Sequence, residues 1–281
     1  MNLADELKAL AAELSDSAGV SIDTSRAERL PDGERPGPLN GSGTRELDYG
    51  QGIRVTEHYA GHFMADHATE LSVRTLMTQR EELAGAHVVE VGCGTAVNLA
   101  VAAQLGAGRL SGSDIVPEAC ELARRTLAPY DVRWDVHVGD LFEPYHTSPL
   151  EPIDVLVANL PQKPTPGPGI LHVANDGGPD GLTHLEPLVR DAAWRLRPGG
   201  TLQLFLHTLG DRRIWSLLGE RFGLSIRAWR RRVFDASEMS PIWDRLMALR
   251  EQGRNRFVAL ETPGRYCFHC MAVLARRRDE P

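Results

Sequence analysis

His87-Val-Val-Glu-Val-Gly-Cys-Gly-Thr-Ala96 is the most informative segment of the chain for its fold class. A short β-leaning apolar run ends in glycines at 92 and 94, and a helical pattern opens at about Thr95. Such glycines let the backbone pass close beneath a ligand and leave amide N–H groups free at the helix start. Tight packing alone also uses turns of this kind, so the surroundings must decide. Downstream, strand-like runs recur at 109–115, 132–139, 153–159 and 201–207, with helical patterns from Pro117, from about Leu182 and near 212–222, and two last strands at 224–234 and 266–275. This alternation predicts an α/β fold: a doubly wound, Rossmann-like seven-stranded sheet with helices on both faces and ligands beyond the carboxyl ends of its strands.

Upstream, Leu3, Leu7, Leu10 and Leu14 predict a short amphipathic helix. Residues 15–52 then turn to Gly, Pro, Ser and charge and read as a linker with few buried contacts. The expected division is therefore an N-terminal helix and flexible arm over 1–52 and a catalytic domain over 53–281, with a helical insertion at about 236–262. The leucine stripe and long linker suggest a homodimer exchanging its arms.

The chain has 281 residues, 25% charged and 42% hydrophobic, with no apolar run of the roughly 18 residues that a membrane helix needs and no signal-like N-terminus. We read it as cytoplasmic, without a membrane partner. A net charge of −7 disfavours a nucleic-acid partner. Strand alternation splits the arginines of Arg227-Ala-Trp-Arg-Arg-Arg-Val-Phe234 between two faces. Cys267 and Cys270 stand three apart in a predicted strand, so they face opposite ways, and no metal site is expected.

Three acids fall at predicted strand ends: Glu90 before the glycines, Asp114 twenty-four residues later, and Asp140 after Gly139. They suit a ligand with a ribose diol and an exocyclic amine, not a pyrophosphate. NAD would want Gly-x-Gly-x-x-Gly, whose last position here is Val97, and stays as the weaker alternative. At these residues the chain resembles class I S-adenosylmethionine-dependent methyltransferases. Val89-Glu-Val-Gly-Cys-Gly94 is similar to their first motif, Gly112-Ser-Asp-Ile115 to their second-strand acid, and Val138-Gly-Asp-Leu141 to their adenine-side motif. The resemblance spans about Gly61 to His207 and implies S-adenosyl-L-methionine as cofactor. It puts Gly92, Cys93 and Gly94 under the methionyl part, Asp114 on the ribose and Asp140 on the adenine amine. Glu90, Asn98, Ile115, Gly139 and Leu141 complete the expected cradle. Where the family often has a third glycine, this chain has Ala96.

Ala158-Asn-Leu-Pro-Gln-Lys-Pro-Thr-Pro-Gly-Pro-Gly169 comes after the fourth strand. It is either a proline-stiffened turn or a device for orienting a planar nitrogen, whose delocalised lone pair must be turned toward the methyl group. The side-chain oxygen of Asn159 and the carbonyl of Leu160, held by Pro161, are suitable acceptors. The segment is similar to the Asn-Pro-Pro-aromatic tetrad of methyltransferases that modify planar nitrogens, the release-factor glutamine enzymes among them. Asn159, Leu160, Pro161 and Gln162 are thus the expected catalytic segment, with Asn159 also bordering the cofactor. Gly61-His-Phe-Met-Ala-Asp-His-Ala-Thr-Glu70 is similar to the glutamine enzymes before their first motif, which implies Phe63 and Thr69 beside the cofactor. Asn175-Asp-Gly-Gly-Pro-Asp-Gly-Leu182 is close to their Gly-Gly-x-Asp-Gly-Leu turn.

Leu160 and Gln162 depart from the tetrad, so the stacking aromatic is missing, and one helix and a linker replace the helical N-terminal domain of the glutamine enzymes. A fainter similarity, to arginine N-methyltransferases, lies in Glu57-His-Tyr-Ala-Gly-His-Phe-Met-Ala-Asp66. A guanidinium needs carboxylates, so Glu57, Asp66, Glu70, Asp176 and Asp180, with Tyr59, are candidate substrate contacts. The sequence reading is an N-methyltransferase acting on a guanidino or amide nitrogen of a small amino-acid-type metabolite, free arginine of a natural-product pathway first. Protein or peptide glutamine or arginine, and rRNA, are the alternatives. From another class, the chain could bind S-adenosylmethionine without turnover.

Overall fold

The computed structural model describes residues 3–32, 43–61, 63–146 and 151–278. In chain order the elements are α1 (Leu3–Ala18), β1 (Ile22–Asp23), β2 (Glu28–Arg29), β3 (Gly43–Gly50), β4 (Ile53–Tyr59), α2 (His67–Met77), α3 (Arg80–Leu83), β5 (His87–Val91), α4 (Val97–Gln104), β6 (Arg109–Asp114), α5 (Pro117–Leu127), β7 (Arg133–Val138) and β8 (Ile153–Ala158). Next come α6 (Leu185–Arg195), β9 (Leu196–His207), α7 (Arg213–Arg221), β10 (Phe222–Asp235), α8 (Trp243–Glu251), β11 (Val258–Ala259) and β12 (Arg265–Arg277). They form two compact units: a parallel unit (33–159 and 194–204) and a hairpin unit (1–32, 160–193 and 205–281).

In the parallel unit the strands lie in the order β9-β8-β5-β6-β7, all parallel. The chain runs outward from β5 to β7 and then returns to the other side of β5 with β8. That reversal between β5 and β8 is a switch point, where a doubly wound sheet opens a crevice for a ligand. Val91 stands opposite both Ser113 and Ala158, and Asp114 opposite Val138, so the functional turns share one edge. Beneath them Val88, Leu99, Val101, Leu110, Val155 and Val157 are fully buried or nearly so.

The expected α/β class stands, but the expected arm does not. β3 and β4 form an antiparallel hairpin whose Ile53 and Val55 enter the same core. The segment alternates with period two, its outward positions charged (Glu46, Asp48, Arg54), and that charge disguised it as linker. Residues 33–42 of the expected arm lie outside the described residues.

In the hairpin unit β10 and β12 pair antiparallel from Phe222 opposite Arg277 to Asp235 opposite Arg265. β11 pairs with β12, and β1 and β2 run parallel to β10. Cys267 and Cys270 sit on β12 at an odd spacing, opposite Val233 and Arg230. α1 packs on α7 with Leu7, Leu10 and Leu14 buried. Glu6 reaches His269 at 2.9 Å, and Glu13 reaches Arg212 at 3.1 Å and Arg256 at 2.9 Å. The stripe is spent on this chain's own body, which removes the physical basis for arm exchange in a dimer. Among the described residues no helix is long and apolar enough to cross a membrane.

Leu10 is fully buried. Leu10→Ala is expected to cost about 2–4 kcal/mol of unfolding free energy, read from a denaturant midpoint. A helix lying loosely on the surface would lose less than about 0.5 kcal/mol.

Candidate active site

The turn after β5 is built on left-handed backbone. Gly92 and Gly94 have φ of +67° and +52°, and a Cβ on Gly94 would meet nothing within 4 Å, so the turn borders open space. Ala96 also lies in the left-handed region, at +59°, where the family's third glycine would stand. That conformation costs an alanine about 1–2 kcal/mol, and complete burial of its methyl offsets part of it.

Asp114 accepts the Gly94 N–H at 2.9 Å through Oδ2 and the Val116 N–H at 3.0 Å through Oδ1. Burial raises its pKa above the ordinary carboxylate value. The turn thus shows a ligand a carboxylate backed by its own amide, which suits hydroxyl donors and opposes a pyrophosphate. Ile115 is 55% exposed and Val138, directly beside Asp114, 47% exposed, a pair of apolar shelves for a flat ring. Val138 opens the adenine-side motif quoted above but is not among the expected cofactor contacts, because it also reads as an ordinary strand residue.

Other cradle residues differ from expectation. Glu90 is not at a strand tip: it is buried within β5, accepts Asn98 Nδ2–H at 2.7 Å, and burial pushes its pKa up to about 8. Glu90 Oε2 and Asn98 Oδ1 are buried acceptors with no protein donor. Cys93 faces inward: its Sγ is 3.2 Å from where a Cβ on Gly112 would stand, and burial raises its thiol pKa. Gly139 is required by packing, because a Cβ there would fall 2.5 Å from Pro144 Cγ. The Leu141 carbonyl accepts Ser113 Oγ–H at 2.6 Å, and Asp140 is exposed.

The expected guanidinium acids are mostly committed elsewhere. Glu57 is fully buried and accepts from Arg45 Nε at 2.6 Å, the Ala65 N–H at 2.5 Å and Thr95 Oγ1–H at 2.6 Å. It braces the cofactor turn and cannot meet a substrate. Tyr59 is buried with the Arg45 guanidinium 5.8 Å from its ring centre. Asp66 caps α2, taking the Ala68 and Thr69 N–H groups while Thr69 Oγ1 accepts the Asp66 N–H. That makes Thr69 a capping residue. Phe63 is half-buried and closes a tight backbone bridge with Ala60, and Glu70 lies in the first turn of α2.

Asn159 closes the parallel unit, half-buried and one residue past β8. Leu160, Pro161 and Gln162 begin the next part of the hairpin unit. Leu160 is buried, Pro161 half-buried, and Gln162 is turned inward, with Oε1 accepting the His207 N–H at 3.0 Å and Nε2 donating to Phe205 O at 2.9 Å. Gln162 therefore does not present its side chain to a substrate. The glycine turn 177–181 lies on its backbone: a Cβ on Gly177 would stand 2.5 Å from Gln162 Cα, and one on Gly181 2.4 Å from Gln162 O. Asp176 is held by Thr165 Oγ1–H at 2.6 Å and the Gly178 N–H at 2.9 Å, and Asp180 pairs with Arg213 at 2.5 Å. Both shape the loop rather than reach from it.

Comparison with known proteins agrees with this geometry. Residues 88–166 match the model of a methyltransferase domain. A release factor glutamine methyltransferase of Gloeobacter violaceus is 35% identical over 133 residues, covering 43% of this chain and 46% of that protein. A ribosomal RNA small subunit methyltransferase C of Sodalis glossinidius is 32% identical over 119 residues, 42% of this chain and 29% of that protein. The chain thus spans about half the length, or less, of these relatives. The solved SAM-dependent methyltransferase from Agrobacterium tumefaciens shares the fold at a TM-score of 0.50 and 12% identity, covering 87% of this chain and 72% of that one. The site would fit S-adenosylmethionine: Ile115 and Val138 would flank its adenine, Asp114 would take its ribose hydroxyls, and the space over Gly94 is open.

An acid whose folded pKa is raised keeps its proton in the native state while the unfolded chain loses it, so stability falls as pH climbs from about 4.5 to about 8 and levels off above. Glu90→Gln should flatten that slope and make the cofactor-free protein more stable than wild type at pH 8, measured by denaturant titration across pH. An unchanged slope would place the titration elsewhere. Glu57→Gln, by loosening the grip on Thr95, should weaken S-adenosylhomocysteine binding by about tenfold, and Thr95→Val should do the same. Calorimetric affinities equal to wild type in both would deny Glu57 its brace.

Proposed function

We propose that this S-adenosylmethionine-dependent methyltransferase, similar to the release factor glutamine methyltransferases, methylates the side-chain amide nitrogen of a glutamine in a protein or peptide. The observation that carries the reading is Asn159-Leu160-Pro161 directly after β8 with Gln162 turned inward. An amide nitrogen is planar and a poor nucleophile until its N–H groups are held. The Asn159 oxygen and the Leu160 carbonyl are acceptors for those two hydrogens, and Pro161 stiffens the backbone that carries them. The cofactor supplies an electrophilic methyl carbon. The acceptor amide would take that methyl in exchange for one N–H proton, released to solvent, and the cofactor would leave as the neutral thioether. The role of the chain is to place the groups and exclude water.

The inward Gln162 also separates the substrate classes. A nucleobase gains about 1–3 kcal/mol from stacking on an aromatic ring, and the tetrad position that would supply the ring does not. An aliphatic amide has far less to lose. Free arginine loses its basis for a different reason: Glu57, Asp66, Asp176 and Asp180 are engaged in the fold, and the relatives' names speak of protein and RNA.

The test is incubation with S-adenosylmethionine and, in parallel, glutamine-containing loop peptides, free arginine and small-subunit rRNA, with products read by mass spectrometry. Methylated glutamine amide is expected; methylarginine or methylated base alone would overturn the reading. Asn159→Ala should lower kcat by about 10²-fold or more with S-adenosylhomocysteine affinity within about threefold of wild type. Retained kcat would show that the loop does not hold the acceptor.

A further inference from the structure

Gln162 stands where related tetrads carry a stacking aromatic, and its side chain is 5% exposed. Its carboxamide takes the His207 N–H at 3.0 Å and gives one N–H to Phe205 O at 2.9 Å. One amide bridging the O of a residue and the N–H of the residue two further on is the pattern by which a parallel neighbour binds a strand. The side chain thus makes a ladder step on the end of β9. The second N–H of Nε2 points to Leu160 O at 3.4 Å. Gly177 and Gly181 close on the Gln162 backbone where no Cβ would fit, the Gly177 N–H reaches Lys163 O at 3.0 Å, and the Lys163 N–H reaches Asn175 O at 3.2 Å. Main chain and side chain are therefore fixed independently.

We propose that Gln162 is a positioning residue that orients the Leu160 carbonyl toward the methyl acceptor, by a hydrogen-bonded clamp in place of aromatic stacking. The proposal rests on the glutamine-amide reading above. A carbonyl oxygen has two lone pairs. The long bond from Nε2 engages one and sets the direction of the other, which takes the acceptor's N–H. An aromatic ring turned outward to stack on a substrate could not also bond Phe205 O and the His207 N–H, so clamp and stack exclude one another at this position. The bulk of Leu160 is accommodated by the same arrangement, because its side chain is buried while its carbonyl is steered.

Two variants and two independent readouts test this. Gln162→Met keeps the volume and loses the amide. Amide hydrogen exchange of the full-length protein, without any acceptor, should show His207 N–H exchanging at least about tenfold faster in the variant. With a glutamine peptide its kcat should fall about 10–10²-fold while KM for S-adenosylmethionine and S-adenosylhomocysteine affinity stay within about threefold. Gln162→Glu supplies the rescue: a protonated carboxyl can donate to Phe205 O and accept from His207, so its kcat relative to wild type should rise as pH is lowered. Unchanged His207 exchange in Gln162→Met overturns the clamp. Faster exchange with full kcat, or a Gln162→Glu profile parallel to wild type, overturns the positioning role. A wild type that leaves glutamine peptides unmodified overturns the underlying function and this proposal's kinetic arm, while His207 exchange still judges the clamp.

Discussion

The hydrogen bond from the Gly94 amide to the Asp114 carboxylate, 2.9 Å long, joins the ends of two neighbouring parallel strands, and the site's chemistry derives from it. It requires left-handed backbone at Gly92 and Gly94, which the turn after β5 enters at little cost because those residues lack a Cβ. It also turns the loop's electrostatics around. A free amide turn at a helix start attracts phosphate, whereas an amide already bonded to a half-buried carboxylate repels it and welcomes hydroxyl donors. The same pairing would favour a nucleoside sulfonium over a dinucleotide, with the exposed Ile115 and Val138 on either side.

Much of the chain's acidity serves the scaffold. Glu57 gathers an arginine, a backbone amide and a threonine from three separate segments. Asp211 is fully buried and takes Arg213 and Arg254. Removing one partner from such a cluster would strand a buried charge, so these carboxylates are held in place by their neighbours and are closed to a cationic substrate. A net charge of −7 therefore says little about what the protein binds. Glu90 is the exception in kind: with one oxygen bonded to Asn98, it is kept protonated near neutrality chiefly by burial, with the nearby Asp114 charge adding to it.

The substrate loop shows a second principle. Asn159 inherits its position from β8, a central strand, while Gln162 gains its own by bonding to β9. Two residues separate the half-buried Asn159 at the strand end from a Gln162 side chain wholly committed to holding shape. The glycine turn at 177–181 looks in sequence like a ligand loop, yet what its glycines admit is the Gln162 backbone.

The strand and helix periods, the glycine turn and the Asn159-Leu160-Pro161 segment could be read from the sequence, because each depends on residues a few positions apart. The charged hairpin β3–β4 could not be read, since its outward charges hid a period-two pattern whose inward Ile53 and Val55 matter only once a core exists to receive them. Nor could the sequence tell which acids face a ligand. Whether Glu57 binds substrate or braces a turn is set by donors at 45, 65 and 95, and whether Gln162 stacks or clamps by partners at 205 and 207. Local sequence was enough to say where the backbone turns after β5 and where the proline-rich loop follows β8. Which polar side chains remain for chemistry was settled by the packed fold, because a buried polar group must find its partner wherever the fold brings one.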